Sequence, residues 1–525
     1  MPVMSTLPNE LWMSVFEFMN SPSDLAQVLR TSKRFRDLAI RILHRRLIWN
    51  DPRHFVRTLQ FWDNNPGMLS VPRSLTVGIS KIQLPPAHVD RLDRAVAVVA
   101  IDGGLGHVPV GGVAPPPNMA VLNPPLETMA TRSKPAFVAS QALYQAMTSR
   151  MVTFTQLSEL IFKNALLPDS IYNIIHGIPS LRILHIEFCT FDQATIPGAW
   201  DHTTLPITEL SLKSLEGGAL VTNAMALAKA HNLRVLRFDM TACIFRFFTR
   251  MNNGGVHIVP PHLESVDVRL PEKKNWPSSP PDAQQQYIAP LTEFLAMCPN
   301  IVRLAIGSYM PEFTFPPWIL PKLQSYKGPM STVLTVTGRR PITELNICDA
   351  GTKLSDWTDI LASLGAEHSS LRELCAYVPY WDDEILYAVT ALFPSLHKLH
   401  IRYGLGSPSE DTVLHIGPHF VARTPDMHTL HLFSPRARSA AELLVPRCFD
   451  AIIEPEDFEE EEKRDPEAEL KGMIGSWNRH CPQLGEVQLL QGFVWRKAQV
   501  RPGQKQGSWE KRKYDWVDGV RNYGY

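Results

Sequence analysis

Leu7-Pro8-Asn9-Glu10-Leu11 opens a segment, residues 1–50, whose sequence predicts three short helices. Pro8 suits the first turn of a helix, where its missing N–H group costs nothing. Large apolar side chains then recur at helical spacing and make one face of the first helix: Leu11, Val15, Phe16 and Met19. The segment therefore begins with an amphipathic helix.

Two further helices are predicted in the same segment. Ser21-Pro22-Ser23-Asp24 is a capping box with proline at the first helical position, and it starts the second helix. The third helix is predicted to begin near Lys33 and to end near Trp49. Because so short a segment makes a poor hydrophobic core alone, we expect its apolar surface to be shared with a neighbour.

This segment resembles the F-box. The family pattern is Leu-Pro-x-Glu, an apolar helix, an Asp-Leu pair, an aromatic residue and a final tryptophan, and it is matched by Leu7, Pro8, Glu10, Leu11, Val15, Phe16, Asp24, Leu25, Phe35, Leu43 and Trp49. Ser32 and His44 depart from it, since many members carry cysteine and an aromatic residue there. The resemblance implies docking into an apolar groove of a Skp-type adaptor and, through it, to a cullin. The implied contacts are Leu7, Pro8, Leu11, Val15, Leu25, Val28, Leu29 and Phe35. The alternative is a helical cap on the following domain.

Bulk composition limits the class of protein. The 525 residues are long enough for several domains or one extended array. Lys plus Arg and Asp plus Glu number 52 each, so no net field favours nucleic acid or an acidic membrane. The seven cysteines are scattered without a Cys-x-x-Cys pair, which favours reduced thiols inside the cell. No signal peptide or apolar run of membrane-spanning length is found, so we expect a cytoplasmic or nuclear protein that does not enter membranes.

Beyond the helical segment, one motif recurs: an apolar residue, two others, an apolar residue, one other and a third apolar residue. Its clearest copies start at Leu157, Leu181, Ile207, Leu233, Leu263, Ile301, Ile342, Leu396, Met427 and Leu484, with a weaker copy at Leu371. The first spacings are 24, 26, 26 and 30 residues, near the leucine-rich-repeat period. Each copy predicts a short parallel strand whose apolar residues point into a shared core.

Helical spacing between the copies predicts return helices in the segments 169–177, 220–231, 288–298, 355–364, 383–393 and 465–480. This arrangement resembles a leucine-rich-repeat solenoid. An F-box followed by such an array looks like the substrate-receptor layout common among fungal F-box proteins. The predicted fold class is therefore α/β, with a short all-α F-box and then an irregular array of parallel strands with helices on the convex side. A compact α/β sheet domain is the alternative.

Four regions follow from this prediction. Residues 1–50 are the F-box, and residues 51–150 are a linker or cap with a Gly/Pro-rich loop at 102–135 and a candidate first strand at 74–77. Residues 151–492 are the array, with an acidic loop at 454–469, and residues 493–525 are an aromatic and basic tail. That tail combines aromatic and basic residues, as in single-stranded nucleic-acid contacts, but an end cap over the last strand is favoured.

Candidate chemistry is absent from the sequence motifs. Asp102-Gly103-Gly104-Leu105-Gly106 lacks the Gly-Lys-Ser/Thr ending of a phosphate loop. The pairs His397 with His400 and His428 with His431 are three residues apart on predicted strands, where such positions face opposite sides. We therefore predict no catalytic residues, no metal site and no cofactor, and a non-catalytic binding protein.

A second binding surface is predicted on the array. The third and fifth residues of each motif point away from the core and form what we call the open face, predicted to be concave. Its charges are mixed, so they name no ligand class. The residues predicted to contact a protein substrate there are His185, Arg237, Arg303, Glu344, Glu373, Lys398 and His400. The leading prediction is a substrate receptor of a cullin–RING ubiquitin ligase, and the alternative is an interaction scaffold outside any ligase.

Overall fold

A computed structural model describes residues 7–19, 21–81, 137–139, 141–167, 170–191, 200–215, 224–240, 260–271, 287–307, 315–349, 354–434, 466–498 and 508–513. The chain forms two compact units. The first comprises Met1–Asp239 and Val256–Pro260, and the second comprises Met240–Gly255 and Pro261–Tyr525.

Three helices open the first unit: α1 (Asn9–Glu17), α2 (Pro22–Val28) and α3 (Lys33–Leu43). They pack around a small core of Phe16, Leu25, Leu38 and Ala39. Ser32 fixes the start of α3, because its hydroxyl accepts a hydrogen bond from the Phe35 N–H at 3.1 Å. These helices correspond to the predicted helical segment.

The predicted end of the third helix was wrong. Helix α3 stops at Leu43, and strand β1 (Arg46–Trp49) follows it, in parallel pairing with β2 (Ser74–Val77). Trp49 is buried against the rings of Phe55 and Phe154, with centroids 4.7 and 5.9 Å away. Trp49 is therefore the last residue of the first strand, and its aromatic ring packs into the core of the unit.

The rest of the first unit is built from short strands and return segments. Its helices are α4 (Pro52–Asn64), α5 (Gln141–Met151) and α6 (Ile171–His176). Its strands are β3 (Ile79–Lys81), β4 (Phe137–Ala139), β5 (Glu159–Lys163), β6 (Leu166–Leu167), β7 (Ile183–Glu187), β8 (Thr190–Phe191), β9 (Glu209–Lys213) and β10 (Val235–Asp239). The parallel sheet of this unit has the order β1-β2-β5-β7-β9-β10.

The second unit repeats the same construction. Its strands are β11 (Ser265–Arg269), β12 (Arg303–Gly307), β13 (Ser325–Pro329), β14 (Glu344–Asp349), β15 (Glu373–Tyr380), β16 (Lys398–Leu405), β17 (Thr429–Phe433), β18 (Glu486–Leu490), β19 (Phe493–Lys497) and β20 (Trp509–Lys513). Its helices are α7 (Ala289–Ala296), α8 (Val333–Thr337), α9 (Leu354–Glu367), α10 (Asp383–Leu392), α11 (Glu410–His415) and α12 (Pro466–His480). Strands β11 to β18 pair in parallel in chain order, and β19 and β20 close the edge in antiparallel pairing.

Register follows the repeated motif. Every strand from a predicted copy begins at the third motif residue, and those residues pair across the sheet, as Glu344 does with Glu373 and Glu373 with Lys398. The apolar motif residues face the core and are buried in each copy. This confirms a helical segment followed by an α/β array of parallel strands. Of the predicted return helices, only 220–231 differs, since it contains a short 3₁₀ helix, Met225–Lys229, within its described part.

Some predictions fall outside the described residues: the Gly/Pro-rich loop 102–135, the acidic residues 454–465 and the tail beyond 513. In the described part, no helix combines the length and apolar character needed to cross a membrane. The described cysteines are free thiols: Cys189, Cys298, Cys348, Cys375 and Cys481.

Candidate interaction surfaces

Helix α1 is apolar on two sides. Its inner side carries Trp12 and Phe16, and both rings pack on Phe35 of α3, with centroids 4.6 and 5.5 Å apart. These contacts hold α1 against α3 and bury Phe16 to 3% exposure. One face of the helix is therefore already committed to the core of its own domain.

The outer side of α1 exposes a second apolar row, which we call the α1 stripe. Its four members, with their exposed fractions, are Leu7 (39%), Leu11 (52%), Val15 (48%) and Phe18 (85%). Their spacing of four, four and three residues aligns them along one side of a helix. Such a row on a soluble domain is typical of a surface that binds another protein.

Hydrogen bonds hold the start of the α1 stripe in place. The Arg34 guanidinium donates to the Leu7 carbonyl oxygen at 2.5 Å and to the Asn9 side-chain oxygen at 2.9 Å. At the other end of the helix, Arg45 forms an ion pair with Glu17. Both ends of α1 are thus anchored, so the stripe is presented on a fixed element.

The predicted adaptor contacts do not all lie on this surface. Leu7, Pro8, Leu11 and Val15 are exposed on the outside of α1. Leu25, however, is 5% exposed and packs in the three-helix core, so it lies apart from the exposed row, and its contact with an adaptor stays a prediction. Val28, Leu29 and Phe35 are half-buried against the same core.

Phe18 is a member of the α1 stripe that was not among the predicted contacts. The apolar residues of α1 were predicted to share one face, whereas Leu11 and Val15 point outward and Phe16 points inward. The signal was present, because Phe18 continues the row of Leu11 and Val15 at helical spacing.

On the open face of the first unit, opposite charges pair with one another. Glu209 accepts from His185 Nε2 at 2.8 Å and forms an ion pair with Arg237. The hydrogen bond from His185, together with the Arg237 charge, lowers the pKa of Glu209 to about 2. His185 and Arg237, both predicted substrate contacts, are therefore already engaged with a shared carboxylate.

In the second unit, the predicted contacts differ in how accessible they are. Arg303 and Glu344 are exposed. Glu373 and Lys398 are half-buried neighbours on paired strands, with Lys398 Nζ 3.5 Å from a Glu373 carboxylate oxygen. Arg303 on β12 and Glu344 on β14 are therefore the charges most available to a partner.

His400 packs against a neighbouring histidine. Its ring stacks on His431 with centroids 4.0 Å apart, and its Nε2 atom is inaccessible to solvent and without a hydrogen-bond partner among the described residues. Burial lowers the pKa of His400 to about 2. His400 was predicted to contact a substrate, and in the structure its Nε2 atom is covered while the residue as a whole is half-buried, so its contact with a substrate stays a prediction.

The histidines pair across strands, not along them. His397 and His428 each directly precede their strand, β16 and β17, and their ring centroids are 5.8 Å apart. His431, which stacks on His400, also forms a hydrogen bond between its Nε2 atom and a Glu486 carboxylate oxygen at 2.9 Å. The Glu486 carboxylate accepts a second hydrogen bond from Arg496 Nε at 2.7 Å. Across the part of the chain that the structure describes, no three His, Cys, Asp or Glu side chains come together as a metal site.

Comparisons with known proteins place only the N-terminal segment. The family model described as F-box-like matches residues 4–48. A search of curated proteins found no match. Among solved structures, the chain is similar to the Drosophila Toll–Spatzle complex, with 12% identity, 58% of this chain and 37% of that chain covered, and a TM-score of 0.27.

Two other solved structures are also similar to the chain. For the TLR13–ssRNA13 complex, identity is 10%, coverage is 56% of this chain and 38% of that chain, and the TM-score is 0.25. The third is the LRR ectodomain of the Arabidopsis thaliana receptor kinase GASSHO1/SCHENGEN3 in complex with CASPARIAN STRIP INTEGRITY FACTOR 2. Its identity to this chain is 13%, coverage is 54% of this chain and 42% of that chain, and the TM-score is 0.19. The chain thus spans less than half the length of each, and similarity this low adds nothing to the strand pattern. Residues 4–48 are an F-box-like domain, and an array of parallel strands follows it.

Proposed function

We propose that this chain is the substrate-recognition subunit of an SCF-type cullin–RING E3 ubiquitin ligase. The α1 stripe docks a Skp-type adaptor, and the array binds a protein substrate. The observation that carries the proposal is the α1 stripe itself: an apolar row on a helix whose opposite face is already packed, inside an F-box-like domain.

The stripe is large enough to matter for binding. Fully burying a large apolar side chain contributes roughly 1.5–3 kcal/mol, so four contribute at most roughly 6–12 kcal/mol. Association costs about 4–15 kcal/mol, which is of the same size. Useful affinity therefore requires most of the row to engage at once, and the loss of one central residue should weaken binding strongly.

The array supplies the second binding surface. Of the predicted contacts in the second unit, Arg303 and Glu344 are exposed, and Glu373 and Lys398 are half-buried on the same open face. Their mixed charges suit a protein partner better than a polyanion. In this proposal the chain itself does no covalent chemistry and brings the substrate close to the ligase.

The compartment and the type of F-box protein are part of the same proposal. Scattered free thiols suit the reducing cytoplasm or nucleus, where cullin ligases work. The order of an F-box and then an irregular repeat array is the layout of fungal F-box substrate receptors. We propose that this chain is a receptor of that kind.

Co-purification tests the proposal. Co-expressed with a Skp-type adaptor and a cullin, the full chain should recover both proteins. The double variant Leu7→Ala, Pro8→Ala should lose both and keep the same melting temperature. Val56→Ala is the matched control, because Val56 is 49% exposed in the same unit but lies on α4.

Recovery of the adaptor without the cullin distinguishes the alternative function, an interaction scaffold, from a ligase subunit. A chain that binds the adaptor and never recovers the cullin is an interaction scaffold outside the ligase. Undiminished recovery by the Leu7→Ala, Pro8→Ala variant would refute the docking role of the α1 stripe.

A further inference from the structure

Two neighbouring strands of the second unit carry their inner apolar row beyond the edge of the core. In β15, Leu374 and Val378 are each 1% exposed, whereas Tyr380, the next residue of that row, is 60% exposed. In β16, Tyr403 is 0% exposed and Leu405, the next of its row, is 41% exposed. The row therefore continues for one step on each strand, and its last residue there is exposed.

Tyr380 and Leu405 occupy one position across the two strands. They are register partners, and the Trp381 N–H donates to the Leu405 carbonyl oxygen at 2.8 Å. Strands β15 and β16 have eight residues each, whereas β14 has six and β17 has five. We call this exposed pair, Tyr380 and Leu405, the apolar rung.

Side-chain bonds lock the loops that follow the apolar rung. The Asp383 carboxylate accepts from Trp381 Nε1 at 2.6 Å and from Ser409 Oγ at 2.9 Å, which ties the two loops together. The Trp381 ring packs edge-on against Tyr403, with centroids 5.0 Å apart. The rung is thus held by rigid neighbours on both strands.

Two glycines let the loops come this close. A Cβ at Gly404 would lie 2.8 Å from the Pro379 carbonyl oxygen. Gly406 has a φ of +80°, and a Cβ there would lie 3.3 Å from Trp381 Cβ. Holding a surface in one conformation lowers the entropy lost on binding, so this edge is suited to recognition.

The two segments that carry the apolar rung have charges of one sign. The segments 379–384 and 404–411 contain five acidic residues and no Lys or Arg. Glu384 and Asp411 are exposed. Arg402 belongs to the open-face row of β16 and lies over the Tyr377 ring, 5.6 Å from its centroid. An apolar centre beside acidic side chains complements a ligand with the opposite arrangement.

We propose that the apolar rung binds a short apolar segment of a protein substrate that is flanked by Lys and Arg residues. Its apolar side chains cover Tyr380 and Leu405, and its cations face Glu384 and Asp411. This names a substrate class for the proposed receptor function and rests on it only in taking the second unit as the substrate-binding part.

Peptide binding to the full chain tests the inference. The probes are two fluorescein-labelled synthetic peptides with the same Leu/Phe centre, one flanked by Lys and Arg and the other by Asp and Glu. Fluorescence anisotropy should show binding of the basic peptide, weakened by added salt, and no binding of the acidic peptide. The variant Tyr380→Ser, Leu405→Ser should bind the basic peptide about tenfold more weakly or worse.

Matched variants make the result specific. Trp318→Ser removes another exposed aromatic residue of the second unit, 75% exposed, and should leave peptide binding unchanged. Glu384→Gln with Asp411→Asn should weaken binding and flatten its salt dependence. Adaptor co-purification by the Tyr380→Ser, Leu405→Ser variant should stay intact, so failure here is distinguishable from failure of adaptor docking.

Several outcomes would overturn the inference. Equal binding of both peptides would remove the charge argument, and absence of binding would remove the site. Undiminished binding by the Tyr380→Ser, Leu405→Ser variant would place the peptide elsewhere. Self-association of the chain that this variant abolishes would assign the rung to a second copy instead.

Discussion

Tyr326 fills the space that a side chain at position 328 would need. A Cβ on Gly328 would lie 2.0 Å from the Tyr326 hydroxyl oxygen, and the Tyr326 ring is completely buried. The same hydroxyl is 2.5 Å from Thr332 Oγ1. In β13, one aromatic side chain therefore takes the place of two apolar motif residues.

Gly328→Ala should destabilise the second unit. The added methyl group cannot avoid a rigid, buried ring, and overpacking of this kind costs about 1–3 kcal/mol. We expect a lower midpoint in denaturant titration and faster hydrogen exchange of the β13 amides. Gly307→Ala is the control, because its Cβ would meet nothing closer than 3.6 Å and should cost little.

A compensating variant checks the cause. Tyr326→Leu combined with Gly328→Ala should lose less stability than the sum of the two single changes, because the shortened side chain vacates the space. Strict additivity would show that the two residues do not share it.

Arg340 holds a turn of the second unit from inside. The residue is 4% exposed, and its guanidinium donates to the carbonyl oxygens of Ile319 at 3.0 Å, Pro316 at 3.0 Å and Val336 at 2.6 Å. Leu320, next to Ile319, has a φ of 60° that is unfavourable for a side chain of this kind. The buried charge thus satisfies carbonyl groups around a strained turn.

Arg340→Lys should cost about 2–4 kcal/mol, because an ammonium group cannot reach three separate carbonyl oxygens and leaves buried acceptors unpaired. The melting temperature and the hydrogen exchange of residues 315–340 report the change. Arg339→Lys is the control, since Arg339 is exposed. Equal stability of Arg340→Lys and the parent chain would show that the bonds do not hold the turn.

Acid should destabilise the second unit before its carboxylates titrate. Burial lowers the pKa of His400 to about 2 and also lowers that of His431. The unfolded chain binds these protons near the ordinary histidine pKa of about 6.5, whereas the folded chain does not, so stability is present above that pH and falls below it. Each such group contributes up to about 1.4 kcal/mol per pH unit.

Thermal melting from about pH 7 to about pH 5 measures this slope. His400→Phe keeps a ring against His431 and removes one titrating group, so its melting temperature should fall less steeply with acid. An unchanged slope would show that His400 is already protonated in the folded chain.

The strand array was predictable because its motif is local. Three apolar residues at fixed spacing locate each strand, and the spacing holds wherever the apolar residues are large, as at Leu399 and Ile401. Strand β13 escaped this pattern because Gly328 occupies its last apolar position. The Tyr326 side chain fills the space that an apolar residue at position 328 would occupy, and only the packing shows this.

The sequence indicates that α1 and the open face carry candidate binding residues, but not which of those residues are exposed. Helical spacing identifies the apolar residues of α1, but both faces of α1 are apolar, and only the position of α3 shows which residues are left outside. Leu25 satisfies the family pattern and yet packs inward. His400 obeys strand alternation and, like His431, is a fifth motif residue, so the repeated register places the two side by side. That their rings stack is shown only by the packing.

The affinity of the purified full chain for a purified Skp-type adaptor, measured by calorimetry, tests the central claim most directly. The parent chain should bind, and Leu11→Ser with Val15→Ser should weaken binding by about a hundredfold or more, since two large apolar contacts are lost. Val56→Ser should bind like the parent chain. Equal affinity of the Leu11→Ser, Val15→Ser variant, or no binding by the parent chain, would contradict adaptor docking through the α1 stripe.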